Sequence, residues 1–403
     1  DEDGAQTNDT QTDGAQTADT RIVDTEIADT NGLYIDGEWV PPVKGSHFET
    51  VDPATEEPIA EVAAATAEDV DRAVAAARDA FEAWRDTDPE ERGRIVNRIG
   101  ELVRDQCEEL AVVESSDQGK PLSQAKSDMQ GAARYFEYYA GAADKLEGTS
   151  VPVGAGQVDF TVREPYGVSA QITPWNFPIA IPYWHMAVAL VEGNTVVFKP
   201  AEQTPWCAQI IAEMFDDAGI PSGVFNLVQG FGDAGNAIVE DDRVPTVLFT
   251  GSAEVGHKIA GKIGDVSGRR AACEMGGKNA VVITEEADLD IAVHSAVMSS
   301  FKTTGQRCVS SERLIVHTDI YNEFKDRFVE IASNVAVGDP LDENTFMGPL
   351  IESEHKEKVT EYRDLAREEG VNVLVDRTEL DADEIPDGHE DGHWVGPFVY
   401  EAD

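Results

Sequence analysis

The sequence has little positive charge. Only 31 of its 403 residues are Lys or Arg, against 78 Asp or Glu, which gives a formal net charge of −47. A chain this acidic has no basic surface for nucleic acid, so nucleic acid is not expected as a partner. The carboxylates lie in all segments, and such a surface suits concentrated salt, which screens their mutual repulsion. We therefore expect a halophilic cytoplasmic protein, with an acidic mesophilic enzyme as the alternative.

Cysteine is also scarce. The four cysteines, Cys107, Cys207, Cys273 and Cys308, stand singly. They lack both the paired spacing of a zinc site and the density of a disulfide scaffold. We predict reduced thiols and no metal site.

A long apolar run is missing as well. The most apolar window, residues 177–191, contains two prolines and His185. It falls short of the roughly 20 uninterrupted apolar residues that span a bilayer. The first residues also lack the basic and apolar regions of an export signal. We predict neither a membrane segment nor export.

The organisation of the chain favours an α/β protein. Residues 1–30 are a near-repeat of Asp, Thr, Gln and Gly with almost nothing to bury, which predicts a disordered acidic tail. A helix should begin at Thr66 with Asp69 completing a capping box, and a second helix should run to about Gly119. From residue 168 onward, short apolar strands alternate with helices, which predicts a parallel sheet covered by helices.

The segment Gly305-Gln306-Arg307-Cys308 presents a cysteine after a glycine-led turn and beside a positive charge. A nearby cation favours the thiolate, which is the nucleophilic form, whereas an ordinary cysteine is a small buried hydrophobe. Glu274 precedes two glycines, and such a carboxylate can act as a general base through water or be a plain surface charge. From these residues alone, both interpretations of Cys308 and both interpretations of Glu274 stay open.

Three loops follow predicted strands, where an open parallel sheet places its ligand crevice. In the Pro174–Pro178 loop, the Asn176 amide can donate to an oxyanion or simply form a turn. After the strand at 195–198, a lysine and a carboxylate suit a nucleotide ribose. The loop at 250–256 can meet phosphate at a helix start. Gly230–Gly235 matches a lone GxGxxG pattern, which is a weak signal and is interpreted as a turn.

Together these segments resemble the aldehyde dehydrogenase superfamily. Pro-Trp-Asn-Phe-Pro, Lys-Pro-Ala-Glu-Gln-Thr-Pro, Phe-Thr-Gly-Ser, Glu-Met-Gly-Gly-Lys-Asn and Gly-Gln-Arg-Cys occur here in that family's order. The resemblance implies an α/β fold with a Rossmann-like parallel-sheet cofactor domain, an α/β catalytic domain and a β-hairpin oligomerisation element. The implied ranges are residues 31–148 and 165–274 for the NAD-binding domain, 149–164 for the hairpin and 275–403 for the catalytic domain.

The resemblance also implies a reaction. The Cys308 thiolate adds to the aldehyde carbon, the Asn176 amide and the Cys308 N–H hold the oxyanion, hydride leaves to a nicotinamide, and Glu274 activates water to release the acid. NAD is the expected cofactor because Glu202 would repel a 2′-phosphate, and NADP is the alternative. The implied cofactor contacts are Ile172, Thr173, Pro174, Trp175, Lys199, Glu202, Gly251, Ser252 and Gly256. A homodimer or homotetramer is implied for the full-length form.

Three features refine the resemblance. Gln-Arg-Cys is most similar to bacterial and archaeal 2,5-dioxopentanoate (α-ketoglutarate semialdehyde) dehydrogenases, with succinate-semialdehyde enzymes next. His185 stands where many relatives carry a lysine, and it either packs or alters proton handling. The sequence stops at Asp403, before the family's Glu-Glu-x-Phe-Gly-Pro segment, so we expect a C-terminally incomplete catalytic domain. The alternative is an inactive truncated relative that acts as a binding or assembly partner.

Overall fold

The structure is a computed structural model that describes residues 32–382 and 384–402. The tail predicted for residues 1–30 lies outside the described residues. The strands are β1 (Leu33–Ile35), β2 (Glu38–Val40), β3 (His47–Val51), β4 (Pro58–Ala63), β5 (Ser150–Val151), β6 (Asp159–Phe160), β7 (Val168–Ile172), β8 (Thr195–Lys199), β9 (Phe225–Leu227), β10 (Thr246–Gly251), β11 (Arg270–Met275), β12 (Asn279–Ile283), β13 (Ser311–Val316), β14 (Asn372–Asp376) and β15 (Phe398–Glu401).

Helices separate most of these strands, as the alternating pattern predicts. They are α1 (Ala67–Asp86), α2 (Pro89–Asp105), α3 (Cys107–Gln118), α4 (Leu122–Ala140), α5 (Ala180–Val191), α6 (Pro205–Asp217), α7 (Gly232–Glu240), α8 (Ala253–Gly264), α9 (Leu289–Phe301), α10 (Tyr321–Ser333) and α11 (Ser353–Glu368). A short 3₁₀ helix, Lys302–Gly305, follows α9 directly. The capping box predicted for α1 is present, since the Asp69 carboxylate accepts the Thr66 N–H over 2.9 Å.

The central sheet has the order β11-β10-β7-β8-β9-β1-β2. Strands β7 to β11 are parallel, and the β1–β2 hairpin adds antiparallel to β9. Chain order reverses between β7 and β10. Loops leaving the carboxyl ends of strands on either side of such a reversal diverge and form a ligand crevice. The predicted Rossmann-like parallel sheet is therefore confirmed, and the loops at Thr173 and Ser252 open at its switch point.

The central strands β7 to β10 are largely buried on both faces, whereas the edge strands β11 and β2 are partly exposed. Along β8, Val196 and Phe198 belong to one core cluster and Val197 to another, as a period of two requires. Helices α2 to α6 cover the first face, and α1, α7 and α8 cover the second. The loops at the strand ends therefore extend from a sheet that is packed against helices on both faces.

The predicted nucleophile lies in a smaller unit beyond this sheet. Strands β12 and β13 are parallel, and α9 and α10 pack on them around a third core that includes Phe301 and Phe328. The predicted hairpin is present as antiparallel β5 and β6, with Val158 84% exposed and Phe160 61% exposed. Its role in oligomerisation stays a prediction, as do the domain limits.

Two local expectations differ from the structure. The long second helix is broken at Gln106, where α2 ends and α3 begins, and α3 packs on α4 and α6. Tertiary packing here overrides a continuous apolar pattern. The Gly230–Gly235 pattern, interpreted as a turn, contains the start of α7.

Candidate active site

The segment before Cys308 has an unusual backbone. Thr303 and Thr304 both have φ 55 and ψ 34, a left-handed conformation that is an outlier for β-branched residues. Such residues cost about 1–3 kcal/mol each and persist only where their surroundings hold them. The Gln124 side chain accepts the Thr303 N–H over 2.8 Å, and the Thr304 hydroxyl donates to the Gly348 carbonyl over 2.8 Å. The fold therefore fixes the approach to Cys308, whose own side chain is exposed.

Asn176 is brought to this same segment. Its Nδ2 donates to the main-chain carbonyl of Gln306 over 2.7 Å, two residues before Cys308. The orientation of the amide is fixed because a carbonyl can only accept. An amide nitrogen carries two hydrogens, so one N–H remains beside the cysteine segment. The structure therefore places the Asn176 amide on the segment that leads to Cys308, and its role as oxyanion donor stays a prediction.

Glu274 lies on a different strand from the Asn176 loop. It lies near the carboxyl end of β11, opposite Thr250 of β10, and its side chain is exposed. Five residues later, Asn279 donates from Nδ2 to the Cys308 carbonyl over 2.7 Å and to the Ser310 carbonyl over 3.0 Å. Within the described chain the Glu274 carboxylate has no ion-pair partner. A free carboxylate therefore lies on the chain segment that anchors the cysteine.

A buried ion cluster supports the Asn176 loop. Lys120 is buried and pairs with Glu114 and, over 2.8 Å, with Asp128. Its ammonium nitrogen is 4.2 Å from the ring centroid of Phe177, the residue after Asn176. Burial raises the pKa of the Glu114 carboxyl to about 7, although Lys120 opposes that shift. The cluster fixes the aromatic ring at the base of the loop.

The predicted ribose contacts form an ion pair. Lys199 ends β8 and is buried, and its Nζ is 3.0 Å from Glu202 Oε2. Burial lowers the pKa of Lys199, and the Glu202 carboxylate partly offsets this. The Thr173 N–H donates to the Lys199 carbonyl over 3.2 Å, which joins the β7 and β8 loops. Ile172 is the last residue of β7, so these four residues share one edge of the sheet.

Pro174 and Trp175 continue the β7 loop and are half-buried. The Trp175 ring meets the His355 ring edge-on, with centroids 5.1 Å apart. His355 lies in the first turn of α11, and its Nδ1 is 3.1 Å from Glu352 Oε1. The start of α11 therefore packs against the predicted cofactor loop at Trp175.

The start of α8 forms the remaining predicted cofactor contact. Ser252 is its N-cap, and the Ser252 hydroxyl accepts the Val255 N–H over 3.4 Å. Gly256 is buried, and a Cβ there would lie 2.5 Å from the Met275 sulfur. Gly251 and Ser252 lie at the switch point, where free N–H groups of a helix start suit a phosphate. Contact between this loop and the cofactor diphosphate stays a prediction.

His185 lies on α5, two turns after the Asn176 loop. Its ring is half-buried, Nδ1 has no hydrogen-bond partner among the described residues, and burial lowers the pKa of the imidazole to about 4. The ring is therefore neutral near pH 7. This favours packing over proton handling.

The described residues hold four separate cysteines and no clustered metal-ligating side chains. No cluster of three or more His, Cys, Asp or Glu side chains suitable for a metal occurs there. The four cysteines are free thiols. No helix of residues 32–382 or 384–402 has the length and apolarity needed to cross a membrane.

The family model for the aldehyde dehydrogenase family matches residues 39–402, which include every element of the site. The chain belongs to the aldehyde dehydrogenase family. The superfamily predicted from the motifs is therefore confirmed, and its members are oxidoreductases.

Solved structures of aldehyde dehydrogenases agree. PnpE from Pseudomonas sp. WBC-3, solved with nicotinamide adenine dinucleotide, is 39% identical with a TM-score of 0.88, over 93% of this chain and 76% of that one. An aldehyde dehydrogenase from Bacillus cereus, solved as an NAD⁺ complex, is 37% identical with a TM-score of 0.87, over 92% and 74%. Betaine aldehyde dehydrogenase from Staphylococcus aureus is 34% identical with a TM-score of 0.87, over 92% and 74%.

The residues present fit the nicotinamide cofactor of aldehyde dehydrogenases. The Thr173 hydroxyl oxygen is buried and has no hydrogen-bond partner among the described residues, so a polar group of a ligand can satisfy it. Glu202 remains partly exposed at the sheet edge, within reach of ribose hydroxyls.

Sequence reasoning missed several contributors to this aldehyde dehydrogenase site. A Cβ on Gly235 would lie 3.9 Å from Lys199 Cδ and 4.0 Å from Ile172 Cδ1, so α7 borders the predicted ribose site. The lone GxGxxG pattern at Gly230–Gly235 was a sequence signal for this contribution of α7. Gln124 and Asn279, which hold the cysteine segment, carry no local signal because their partners are distant in the chain.

Proposed function

We propose that this protein oxidises an aldehyde to the carboxylic acid with NAD, using Cys308 as nucleophile, Asn176 as oxyanion donor and Glu274 as general base. The observation that carries the proposal is the hydrogen bond from Asn176 Nδ2 to the Gln306 carbonyl, which brings the amide to the cysteine segment. Family membership supports the reaction class.

In the proposed reaction, the Cys308 sulfur attacks the aldehyde carbon, and the carbonyl oxygen becomes an oxyanion. The free N–H of Asn176 and the Cys308 N–H stabilise this charge. A nicotinamide bound here would supply the acceptor for the hydride that leaves the same carbon. Glu274 then takes a proton from water, and the resulting hydroxide displaces the Cys308 thiolate from the thioester.

Binding of the cofactor is proposed along the switch point. Lys199 and Glu202 contact the adenosine ribose, residues 172–175 contact the rest of the dinucleotide, and Gly251, Ser252 and Gly256 approach the diphosphate. Since the Glu202 carboxylate repels a 2′-phosphate, we propose NAD over NADP.

For the substrate we propose 2,5-dioxopentanoate or another semialdehyde. The support is the Gln306-Arg307-Cys308 sequence, where an arginine precedes the nucleophile. A panel of aldehydes with the purified chain tests this: NADH formation should be fastest with the oxo-acid aldehydes. Equal rates on acetaldehyde would remove the substrate proposal, and no NADH with any aldehyde would favour the inactive assembly partner.

Oligomerisation is proposed through the hairpin of β5 and β6. Its exposed apolar residues, Val158 and Phe160, favour burial against a second copy. A homodimer or homotetramer follows, and sedimentation of the wild type and of Phe160→Ser tests it. The same sedimentation pattern for both would contradict this role.

Salt adaptation is proposed from the net charge of −47. Repulsion among exposed carboxylates falls as salt shortens the screening length. Adaptation to a salt-rich cytoplasm predicts that the melting temperature of the purified protein rises as the KCl concentration is increased from low to molar. A melting temperature independent of KCl would contradict the proposal.

A further inference from the structure

Two cations lie beside the cysteine without carboxylate partners. Lys302 begins the 3₁₀ helix that leads to Cys308, and Arg307 directly precedes it. Across residues 32–382 and 384–402, neither side chain has an ion pair, and Arg307 Nε is buried without a hydrogen-bond partner. Both side chains are half-buried. In a chain with 78 acidic residues, two such cations are unexpected unless something else neutralises them.

These cations are close to one another and to a third. The positive charges of Arg307 and Lys120 act on Lys302, and only Asp128 opposes them. Asp128 already pairs with Lys120 over 2.8 Å, and Glu114 pairs with Lys120 as well. Glu114 and Asp128 therefore have to balance the charge of three cations, Lys120, Lys302 and Arg307. Burial lowers the pKa of Lys302, which is the cost of desolvating an ammonium that lacks a partner.

An aromatic wall borders the cations. The Arg307 guanidinium carbon is 6.0 Å from the Phe177 ring centroid, and Phe177 is adjacent to Asn176. The Trp184 ring continues this wall, 6.4 Å from Phe177 and 5.2 Å from Tyr135 between centroids. A wall of this kind suits methylene groups, and the cations suit an anion at one end of them.

We propose that Lys302 and Arg307 form a binding site for the carboxylate at the far end of the aldehyde substrate. The inference rests on the proposed aldehyde oxidation, and it names the residues that would select an acidic aldehyde. Neutral aldehydes offer no partner to these cations, so binding them leaves both charges unpaired. A carboxylate offers a bidentate partner to Arg307 and a point charge to Lys302.

The first test needs no turnover. Iodoacetamide, which is neutral, alkylates Cys308, and mass spectrometry of the Cys308 peptide gives the rate. Succinate, glutarate and adipate should protect the thiol at fixed KCl, whereas glutaramide should not. We expect a higher dicarboxylate concentration to be needed to halve the alkylation rate in Lys302→Met and in Arg307→Gln. The increase over the wild type should be about tenfold or more, the loss expected for one charge-assisted contact. Each variant is compared with its own unprotected rate, which cancels any change in thiol reactivity.

Matched controls remove exposed charges on other segments, Arg98 of α2 and Lys145 after α4. The dicarboxylates should protect Cys308 in Lys145→Met and in Arg98→Gln as well as in the wild type, since both side chains are exposed. Equal protection by glutarate and glutaramide, or unchanged protection in Lys302→Met and Arg307→Gln, would overturn the inference.

The second test is turnover. The kcat/KM for succinate semialdehyde should exceed that for butyraldehyde, and Lys302→Met should lower the ratio of the two values by about tenfold or more. Oxidation of butyraldehyde without any preference or protection would overturn the inference and leave the proposed oxidation intact. Protection without oxidation of any aldehyde would support the anion site and contradict the proposed oxidation.

Discussion

Asn176 Nδ2 and the Gln306 carbonyl oxygen are 2.7 Å apart, which joins the loop after β7 to the segment that carries Cys308. One partner follows β7 of the large parallel sheet, and the other lies between β12 and β13 of the smaller unit. This bond sets the position of the amide relative to the cysteine. Its loss should therefore affect chemistry more than ground-state binding.

Asn176→Ala should lower kcat by about 100- to 1,000-fold, the usual effect of removing one oxyanion donor. KM for the aldehyde should change little, because the donor acts mainly on charge that develops in the transition state. Steady-state kinetics of NADH formation give both constants. Asn334→Ala, an exposed asparagine on the far end of α10, is the control. Equal losses in both variants would contradict the role of Asn176.

Glu202→Gln should raise the efficiency with NADP relative to NAD by at least about tenfold, because it removes a like charge from the ribose site. Lys199 then loses its partner at 3.0 Å and becomes available to a phosphate. The ratio of kcat/KM for the two cofactors measures the effect. Asp217→Asn, an exposed carboxylate at the end of α6, should leave the ratio unchanged. A wild-type enzyme that already prefers NADP would contradict the assignment of Glu202 as the group that repels the 2′-phosphate.

His185→Gln should leave the pH dependence of kcat/KM between about pH 6 and 9 unchanged in shape. Burial lowers the pKa of His185 to about 4, so the ring is already neutral throughout this interval. Rates at matched buffer and salt test this. A new or displaced ionisation in the variant would show that His185 handles protons.

Asp117 should make the protein less stable as the pH rises. It is fully buried, accepts the Cys207 N–H over 2.9 Å, and burial raises its pKa from 3.8 to about 7. Between these values the folded state holds more protons than the unfolded state, so the free energy of unfolding falls with increasing pH. Urea unfolding of the wild type and of Asp117→Asn between pH 4 and 7 should show a smaller fall in the variant. A parallel fall in both would contradict this.

Much of the fold followed from local pattern. Apolar strands of five or six residues, helix caps such as Thr66 and the proline-stiffened Asn176 loop are short-range features, and the chain order of the strands then places their loops at one edge. The family motifs predicted the aldehyde dehydrogenase superfamily, which the family model confirms.

The remainder depends on contacts that no local pattern reveals. Gln124 and Thr303 are 179 residues apart, yet their hydrogen bond holds a strained backbone before the cysteine. The break of the long helix at Gln106 and the Lys120 cluster under Phe177 arise in the same way, from packing between distant segments. Long-range pairing therefore accounts for what the sequence did not predict.

The most direct test is the acyl-enzyme. In Glu274→Gln, water activation is removed, so one equivalent of NADH should form quickly and a thioester should remain on Cys308 after the aldehyde and NAD are added. Peptide mass spectrometry locates the adduct, and Cys308→Ser serves as the control that should give neither NADH nor adduct. An acyl group found only on Cys308, with the burst, is the predicted result. NADH formation by Cys308→Ser, or an adduct on another cysteine, would contradict the account.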